Sequence, residues 1–240
     1  MPQSKVLGIL GGLGPMATAY FYELLTAHTL ASCDQEHIDM VISSKASTPD
    51  RTAYILKNSA DDPFLVMEAE ALRLVSFGAE VIAIPCNTAH YFFSRLDEVI
   101  PIPILNMIDG TVAQAQRAGA RKAGILATDG TVQTETYQRA CRAAGLPFAI
   151  PNPAAQADVM QLIYGSIKAG QTPDMALFEA VSNQLFEAGC DVILLGCTEL
   201  SLLKKAGLLD HRYIDSMEVL AHAAITACGK MPVGLAWNHL

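Results

Sequence analysis

Short apolar runs alternate along the chain with longer segments in which apolar residues recur at helical spacing. Helices are predicted at Met16–Thr29, Pro63–Phe77, Thr131–Ala144 and Met175–Ala188. The apolar runs predict strands at Val6–Leu10, Ile38–Ile42, Val81–Ile84, Ile102–Leu105, Ala123–Leu126 and Val192–Leu195. Strands that are apolar on both faces are typical of parallel sheets covered by helices. The pattern therefore predicts an α/β protein with mainly parallel sheets flanked by helices.

The chain also resembles itself. Lys5–Gly14 is similar to Arg121–Gly130, 116 positions later, and Gly78–Thr88 is similar to Gly189–Thr198, 111 positions later. Both matches include small or polar residues directly after a predicted strand, and they occur in the same order at similar offsets. We interpret them as the trace of two related lobes.

The repeat predicts two pseudo-symmetric lobes, each within the usual size range of a domain. The first lobe is expected to comprise residues 1–106, with residues 215–240 packing back on it, and the second residues 107–214. Ligands of such α/β folds bind beyond the carboxyl ends of the strands. We therefore expect the active site between the two lobes.

Composition narrows the function. Hydrophobic residues make up 51% of the chain and charged residues 17%, which is enough apolar material for a large core. The net charge of −8 argues against binding nucleic acid, and no apolar run approaches the ~18 residues of a membrane span. The cysteines form no C-x-x-C pair, so reduced thiols in the cytoplasm are expected. These features favour a cytoplasmic protein that acts on a small molecule.

Cys86 and Cys197 each follow a predicted strand and precede a helix-like segment. Asn87, Thr88 and Thr198 are candidate helix caps there. A thiol beside unpaired N–H groups at a helix N-terminus has its pKa lowered below ~8.5. Two thiols, one ionised and one protonated, can remove a proton from one face of a carbon and return one to the other. The pair therefore predicts racemisation.

The same segments carry a family resemblance. Pro85–His90 (PCNTAH) and Leu195–Leu200 (LGCTEL) resemble the paired signatures of the aspartate/glutamate racemase superfamily. Gly8–Thr18 (GILGGLGPMAT) is similar to the N-terminal loop of its aspartate racemase branch. The resemblance implies that Cys86 and Cys197 are catalytic, serving the D and L enantiomers respectively. It further implies an acidic amino acid as substrate, no cofactor or metal, and a homodimer.

The resemblance also implies residues that hold the substrate. Arg51 lies in a segment similar to the one that carries the family's anion-binding arginine, and Lys168 resembles its second cation. A guanidinium can hold a carboxylate through two hydrogen bonds. Further substrate contacts are expected from Gly12, Met16, Asn87, Thr88, Thr128, Thr198 and Glu199.

Other functions stay open. Hydantoin racemases and maleate isomerases share the two-cysteine chemistry, while Glu199 stands where glutamate racemases of cell-wall synthesis have histidine. Gly12–Ala17 fits a dinucleotide-binding loop, but the second strand ends in Ser43-Ser44-Lys45 rather than in the acid that holds a ribose. The spacing of Cys86 and His90 suits two metal ligands, but no second close pair follows. A regulatory protein that only binds an acidic metabolite would not need two thiols.

Overall fold

The computed structural model describes residues 4–235. By its internal contacts the chain divides into two compact units. The first unit comprises residues 4–107 together with residues 217–235, and the second comprises Ile108–Ser216. Of the returning segment predicted at 215–240, residues 236–240 lie outside the described residues.

Strands alternate with helices throughout the described residues, as the apolar pattern predicts. The strands are Leu7–Gly11 (β1), Met40–Ser44 (β2), Val81–Ala83 (β3), Ala123–Ala127 (β4), Phe148–Ala149 (β5), Val192–Gly196 (β6) and Tyr213–Asp215 (β7). The α-helices are Pro15–Ala27 (α1), Arg51–Ile55 (α2), Pro63–Ser76 (α3), Phe93–Val99 (α4), Met107–Arg117 (α5), Asp129–Gln133 (α6), Thr136–Ala144 (α7), Pro153–Met160 (α8), Met175–Glu187 (α9), Ser201–Lys205 (α10) and Ser216–Ala227 (α11). Shorter helical segments are the 3-10 turns Asp34–Glu36 and Thr88–Phe92 and the π-helix Gln161–Ile167.

In the first unit the strands lie in the order β2-β1-β3, and all pairs are parallel. Leu7 of β1 lies opposite Met40 on one side and Val81 on the other. Beyond β3 the sheet continues only as a parallel bridge between Ile82 and Ile104. A full strand was predicted at this bridge.

In the second unit the order is β5-β4-β6-β7, again with parallel pairs. Ala123 of β4 lies opposite Val192 of β6, at positions 116 and 111 residues after the Leu7–Val81 pair of the first unit. The two sheets therefore share one register. The fold class predicted from the sequence, an α/β protein with parallel sheets flanked by helices, is confirmed.

A glycine in the first strand of each unit allows a helix to pack closely on the sheet. A Cβ atom added at Gly8 would lie 3.3 Å from the Cβ of Leu74 in α3. A Cβ atom added at Gly124 would lie 3.1 Å from the Cβ of Leu185 in α9, the residue 111 positions after Leu74. In each unit, an isoleucine of the neighbouring strand also lies close to the added Cβ atom.

The two packing helices, α3 and α9, also begin alike. The carboxylate of Asp62 accepts from the backbone N–H of Phe64, and that of Asp174 accepts from Leu177, so an N-cap aspartate starts each helix. One predicted helix was wrong: Thr131–Ala144 is broken into α6 and α7 because Glu135 adopts a left-handed backbone with φ of 53°. Within residues 4–235 no helix is long and apolar enough to span a membrane.

Candidate active site

The two cysteines lie at the carboxyl ends of strands that correspond in the repeat. Cys197 directly follows β6, and Cys86 follows β3 after Ile84 and Pro85. Both side chains are buried, with 6% of Cys86 and 5% of Cys197 exposed. Parallel strands of one sheet present their carboxyl ends at the same edge, which is where α/β folds bind ligands.

His90 holds the turn that carries Cys86. Its Nδ1 lies 2.9 Å from the carbonyl oxygen of Cys86, and its Nε2 lies 3.1 Å from the backbone nitrogen of Met107. Because the Met107 N–H is a donor, Nε2 must accept, and Nδ1 therefore carries the proton given to the Cys86 carbonyl. Both ring nitrogens are engaged in this neutral form, which leaves no lone pair for a metal shared with Cys86.

A carboxylate contacts the other thiol. The Sγ of Cys197 donates to Oε2 of Glu199 at 2.9 Å, and Oε1 of Glu199 lies 3.8 Å from Nζ of Lys168. The Lys168 ammonium also lies 4.3 Å from the centre of the Tyr164 ring. The structure thus brings together three residues that the sequence predicted for the site, Cys197, Lys168 and Glu199.

The predicted pKa of Cys197 was wrong in direction. Burial of the thiol, and then the negative charge of Glu199, raise the pKa of Cys197 well above its ordinary value, and Lys168 offsets this only in part. The predicted helix at Thr198 begins only at Ser201, after an N-cap Leu200 that offers no side-chain hydrogen bond. Burial and a nearby carboxylate therefore outweigh any effect of the short helix on the thiol.

The capping roles predicted after the cysteines fail as well. The side chain of Asn87 makes no cap hydrogen bond to the 3-10 turn that begins at Thr88. Asn87, Thr88 and Thr198 are all buried. Thr128, in contrast, is a cap: its hydroxyl accepts from the N–H of Thr131 at 3.3 Å and starts α6.

A buried polar network supports the Cys197 turn from beneath. The hydroxyl of Ser201 donates to Asp215 at 2.6 Å, and the hydroxyl of Ser216 donates to the carbonyl of Leu195 at 2.7 Å. The Tyr137 ring lies close enough to Gly196 that a Cβ there would be 2.9 Å from its Cε2 atom. Sequence reasoning missed this network because its members come from three separate segments, each unremarkable alone.

In the first unit, the loop after β1 is shaped by Gly12. Its φ is +81°, and a Cβ there would overlap the backbone of Ser44 and Lys45, so only glycine fits. The Gly12 N–H donates to the hydroxyl of Thr18 at 2.9 Å. Met16, which was predicted near the substrate, lies in the first turn of α1, directly after Pro15, with 70% of its surface exposed.

Arg51 ties this loop to the segment after β2. Its Nη1 donates to the carbonyls of Thr48, at 3.2 Å, and Pro49, at 3.0 Å, and its Nη2 donates to the carbonyl of Leu13. Only 6% of Arg51 is exposed, and its Nε has no hydrogen-bond partner among residues 4–235. Asp50, its neighbour, caps α2 by accepting from the N–H of Ala53. The guanidinium charge is thus buried against neutral carbonyl oxygens, an arrangement that leaves it in need of an anion.

The described residues contain no cluster of three or more histidine, cysteine, aspartate or glutamate side chains that could hold a metal ion.

Comparison with known proteins gives a consistent result. The family model described as Asp/Glu/Hydantoin racemase matches residues 10–224. A curated relative, the broad specificity amino-acid racemase RacX of Bacillus subtilis, is 29% identical over 233 residues, which cover 92% of this chain and 97% of that protein.

Solved structures agree in fold. The aspartate racemase of Picrophilus torridus is 30% identical with a TM-score of 0.80, and the match covers 95% of this chain and 96% of that one. An aspartate racemase homologue from Pyrococcus horikoshii is 22% identical with a TM-score of 0.75, covering 95% and 100% of the two chains. At that identity the second likeness concerns the fold alone.

Proposed function

Because the chain belongs to the Asp/Glu/hydantoin racemase family and is thus an isomerase of the racemase class, we propose that it inverts the Cα of an acidic amino acid without a cofactor. The observation that carries the proposal is the pair of buried thiols, Cys86 and Cys197, at matching positions after matching strands. Aspartate and glutamate are the proposed substrates.

Inversion needs a base on one face of Cα and an acid on the other. We assign these roles to the two cysteines, with one thiolate removing the proton while the other thiol donates one. After turnover the protonation states are exchanged, so the same pair serves the reverse direction. Following the family resemblance, Cys197 acts on the L enantiomer and Cys86 on the D enantiomer.

The substrate's carboxylates need cations in a chain whose net charge is −8. Arg51 is the first, because its buried guanidinium has neutral oxygens as partners and an unused Nε–H. Lys168 is the second. Its ammonium already lies 3.8 Å from the carboxylate of Glu199, so its position suits an anionic group. Cations and N–H groups near Cα also stabilise the negative charge that develops when the proton leaves.

The remaining predicted contacts come from residues at the carboxyl ends of the strands. Gly12 brings backbone close to the loop after β2, while buried hydroxyl and amide groups offer hydrogen bonds to the substrate. These groups belong to Asn87, Thr88, Thr128 and Thr198. Met16 is exposed, so its proposed contact is with the outer part of a bound substrate.

The test is proton exchange at Cα, followed by NMR in deuterated buffer with no cofactor added. Both enantiomers of aspartate and glutamate are offered to the wild type, C86S, C197S and the control C190S. Cys190 is as buried as Cys197 and lies in the same unit and the same apolar cluster, but it precedes β6, whereas Cys197 follows that strand. We expect inversion by the wild type and C190S, and a loss of about a thousandfold in C86S and C197S, since each removes an acid–base group.

Other outcomes would redirect the assignment. Inversion that survives in either C86S or C197S would remove the two-thiol mechanism while keeping the racemase. Activity only on neutral amino acids would correct the substrate class towards the breadth for which the Bacillus subtilis relative is named. Activity only on a hydantoin would replace amino acids altogether, an outcome that the family description includes.

We also propose that the chain forms a homodimer. Exposed large apolar side chains in the first unit, including Leu30, Leu65 and Phe77, provide surface for association. Sedimentation equilibrium tests this: a dimer has twice the 25.7 kDa mass of the chain, and a monomer at micromolar concentration would contradict it.

A further inference from the structure

Glu199 contacts two groups of opposite character. One carboxylate oxygen accepts the Cys197 thiol proton at 2.9 Å, while the other lies 3.8 Å from the Lys168 ammonium. Only 8% of the Glu199 side chain is exposed. The family resemblance had suggested a substrate contact for Glu199, but its carboxylate lies instead on the atom that is to exchange a proton with the substrate.

A backbone irregularity places Lys168. The N–H of Lys168 donates to the carbonyl of Ile163, five residues earlier, at 2.9 Å, and closes the π-helix Gln161–Ile167. Gly165 lies within it, where the amide end of the Gln161 side chain packs over the space that a Cβ would occupy. A π-helical turn rotates the residues that follow relative to an α-helix, and such turns are frequent at functional sites. Here the π-helical turn is followed directly by Lys168, whose ammonium faces Glu199.

The Cys197 thiol and the Glu199 carboxylate share one proton. In the resting arrangement the proton stays on sulfur, because the thiol donates to Glu199 and because burial and then the charge of Glu199 raise the pKa of Cys197. A Cys197 that must act as a base needs this proton removed first. The nearest acceptor in the structure is Oε2 of Glu199.

We propose that Glu199 is the base that deprotonates Cys197, and that the substrate triggers this transfer by engaging Lys168 with its own carboxylate. The inference rests on the function proposed above. Once Lys168 is shared with the substrate, its ion pair with the Glu199 carboxylate is weakened, and that carboxylate is available to accept the thiol proton. The S–H bond of Cys197 then breaks, and an O–H bond forms at Glu199.

The protons balance over a turnover. The Cys197 thiolate takes the Cα proton and becomes a thiol again, while the Cys86 thiol gives its proton to the opposite face. Cys86 is left as a thiolate and Glu199 as a neutral acid. The Glu199 proton passes to solvent water, and Cys86 takes one from solvent water, which restores the starting state.

The test uses Glu199→Gln, whose amide oxygen still accepts the thiol hydrogen bond but does not take a proton. Glu70→Gln is the matched control. The Glu70 side chain is 9% exposed, against 8% for Glu199, and its carboxylate binds Ser43 and Arg73. Glu199→Asp keeps an acid at the site. Thermal melting of each variant verifies that it is folded.

We expect E199Q to lower kcat at pH 7 about 100-fold while KM changes less than about threefold. E70Q should match the wild type, and E199D should recover a measurable part of the loss. Since the equilibrium constant between enantiomers is 1, kcat/KM must fall equally in both directions.

The pH profile supplies a readout that a merely structural carboxylate would not change. The charged groups that act on the Cys197 thiol are Glu199 on its own turn and Lys168 at the end of the π-helix. Without Glu199 the thiolate forms only by loss of the proton to solvent, so kcat of E199Q should rise about tenfold per pH unit above neutrality. The wild type should lack this steep rise.

Two results would overturn the relay. E199Q with unchanged kcat would show that Glu199 takes no proton, and a loss confined to KM would return Glu199 to substrate binding. In both cases an active wild type leaves the proposed function intact. A wild type that inverts no amino acid overturns the function, and the relay falls with it.

Discussion

The two units share their framework and differ where the chemistry is placed. In each, a glycine of the first strand lies under a leucine of the packing helix, and an aspartate caps that helix. Four residues after the cysteine, however, the first unit has His90, which binds the cysteine's own carbonyl, and the second has Ser201, which binds Asp215. The sequence repeat thus preserves packing, whereas the residues beside each thiol have diverged.

The cations of the two units offer the sharpest contrast. Arg51 is buried among carbonyl oxygens, whereas Lys168 is 23% exposed and already faces Glu199. We expect Arg51→Met to lower kcat/KM about 100-fold or more, because two charged hydrogen bonds to a carboxylate are lost. Lys168→Met should cost about tenfold, since its ion pair is partly solvated.

Steady-state kinetics of both variants test this order. Arg51→Lys is the control for charge without the planar guanidinium and should fall between the wild type and Arg51→Met. A larger loss in Lys168→Met than in Arg51→Met would reverse the assignment of the principal anion site.

The residues that support the two turns give the next largest effect. His90→Ala removes the partner of the Cys86 carbonyl and of the Met107 N–H, so kcat should fall about tenfold along with thermal stability. Ser201→Ala removes one hydrogen bond of Asp215, which is a step further from the thiol, and kcat should fall less than about threefold. Equal effects of the two substitutions on kcat would mean that the Cys86 turn depends on His90 as much as the Cys197 turn depends on Ser201.

The close contacts of Gly8 and Gly124 predict that the two units differ in the stability lost on substitution, not in activity. A Cβ at Gly8 would lie 2.9 Å from the Cβ of Ala79, which has no rotamer to adjust, while at Gly124 the nearest atom is the mobile Cδ1 of Leu185, also at 2.9 Å. Gly8→Ala should cost about 2–3 kcal/mol of unfolding free energy and Gly124→Ala about 1 kcal/mol. Urea denaturation measures both, and the opposite ranking would show that the first unit relaxes more easily.

The last prediction concerns stability at alkaline pH. Burial raises the pKa of Cys228, in the first unit, and of Cys141, in the second, to about 11 in each case. The unfolded chain releases these protons near pH 8.5, so it binds fewer protons than the folded chain above that pH. The unfolding free energy should therefore fall as pH rises from about 8.5 towards 11. Replacing either cysteine by alanine should flatten this decline, and a stability independent of pH would contradict the burial of both thiols.

Local pattern predicted much of this fold. The apolar runs located the long strands to within two residues, and the predicted starts of two helices, Pro63 and Met175, are confirmed. The two-residue strand β5 was missed because the apolar run around Phe148 and Ala149 is short and lies between Pro147 and Pro151, and its pairing with β4 comes from the tertiary fold.

The environment of the thiols was harder to predict. The motif around Cys197 placed it beyond a strand, but the direction of its pKa shift depends on burial and on the rotamer of Glu199. The approach of Lys168 depends on a π-helix, which no spacing of apolar residues signals. Such features arise from contacts between distant segments and become visible only in three dimensions.

The shared register of the two sheets has a consequence for the history of the chain. A duplicated ancestral half would have carried one thiol in one environment, and an assembly of identical halves would have had to treat both enantiomers through the same set of neighbours. Fusion into a single chain would release the copies from that constraint. His90 could then arise beside one cysteine and Glu199 beside the other, each under separate mutation, while the glycines and leucines that hold each sheet to its helix stayed as inherited.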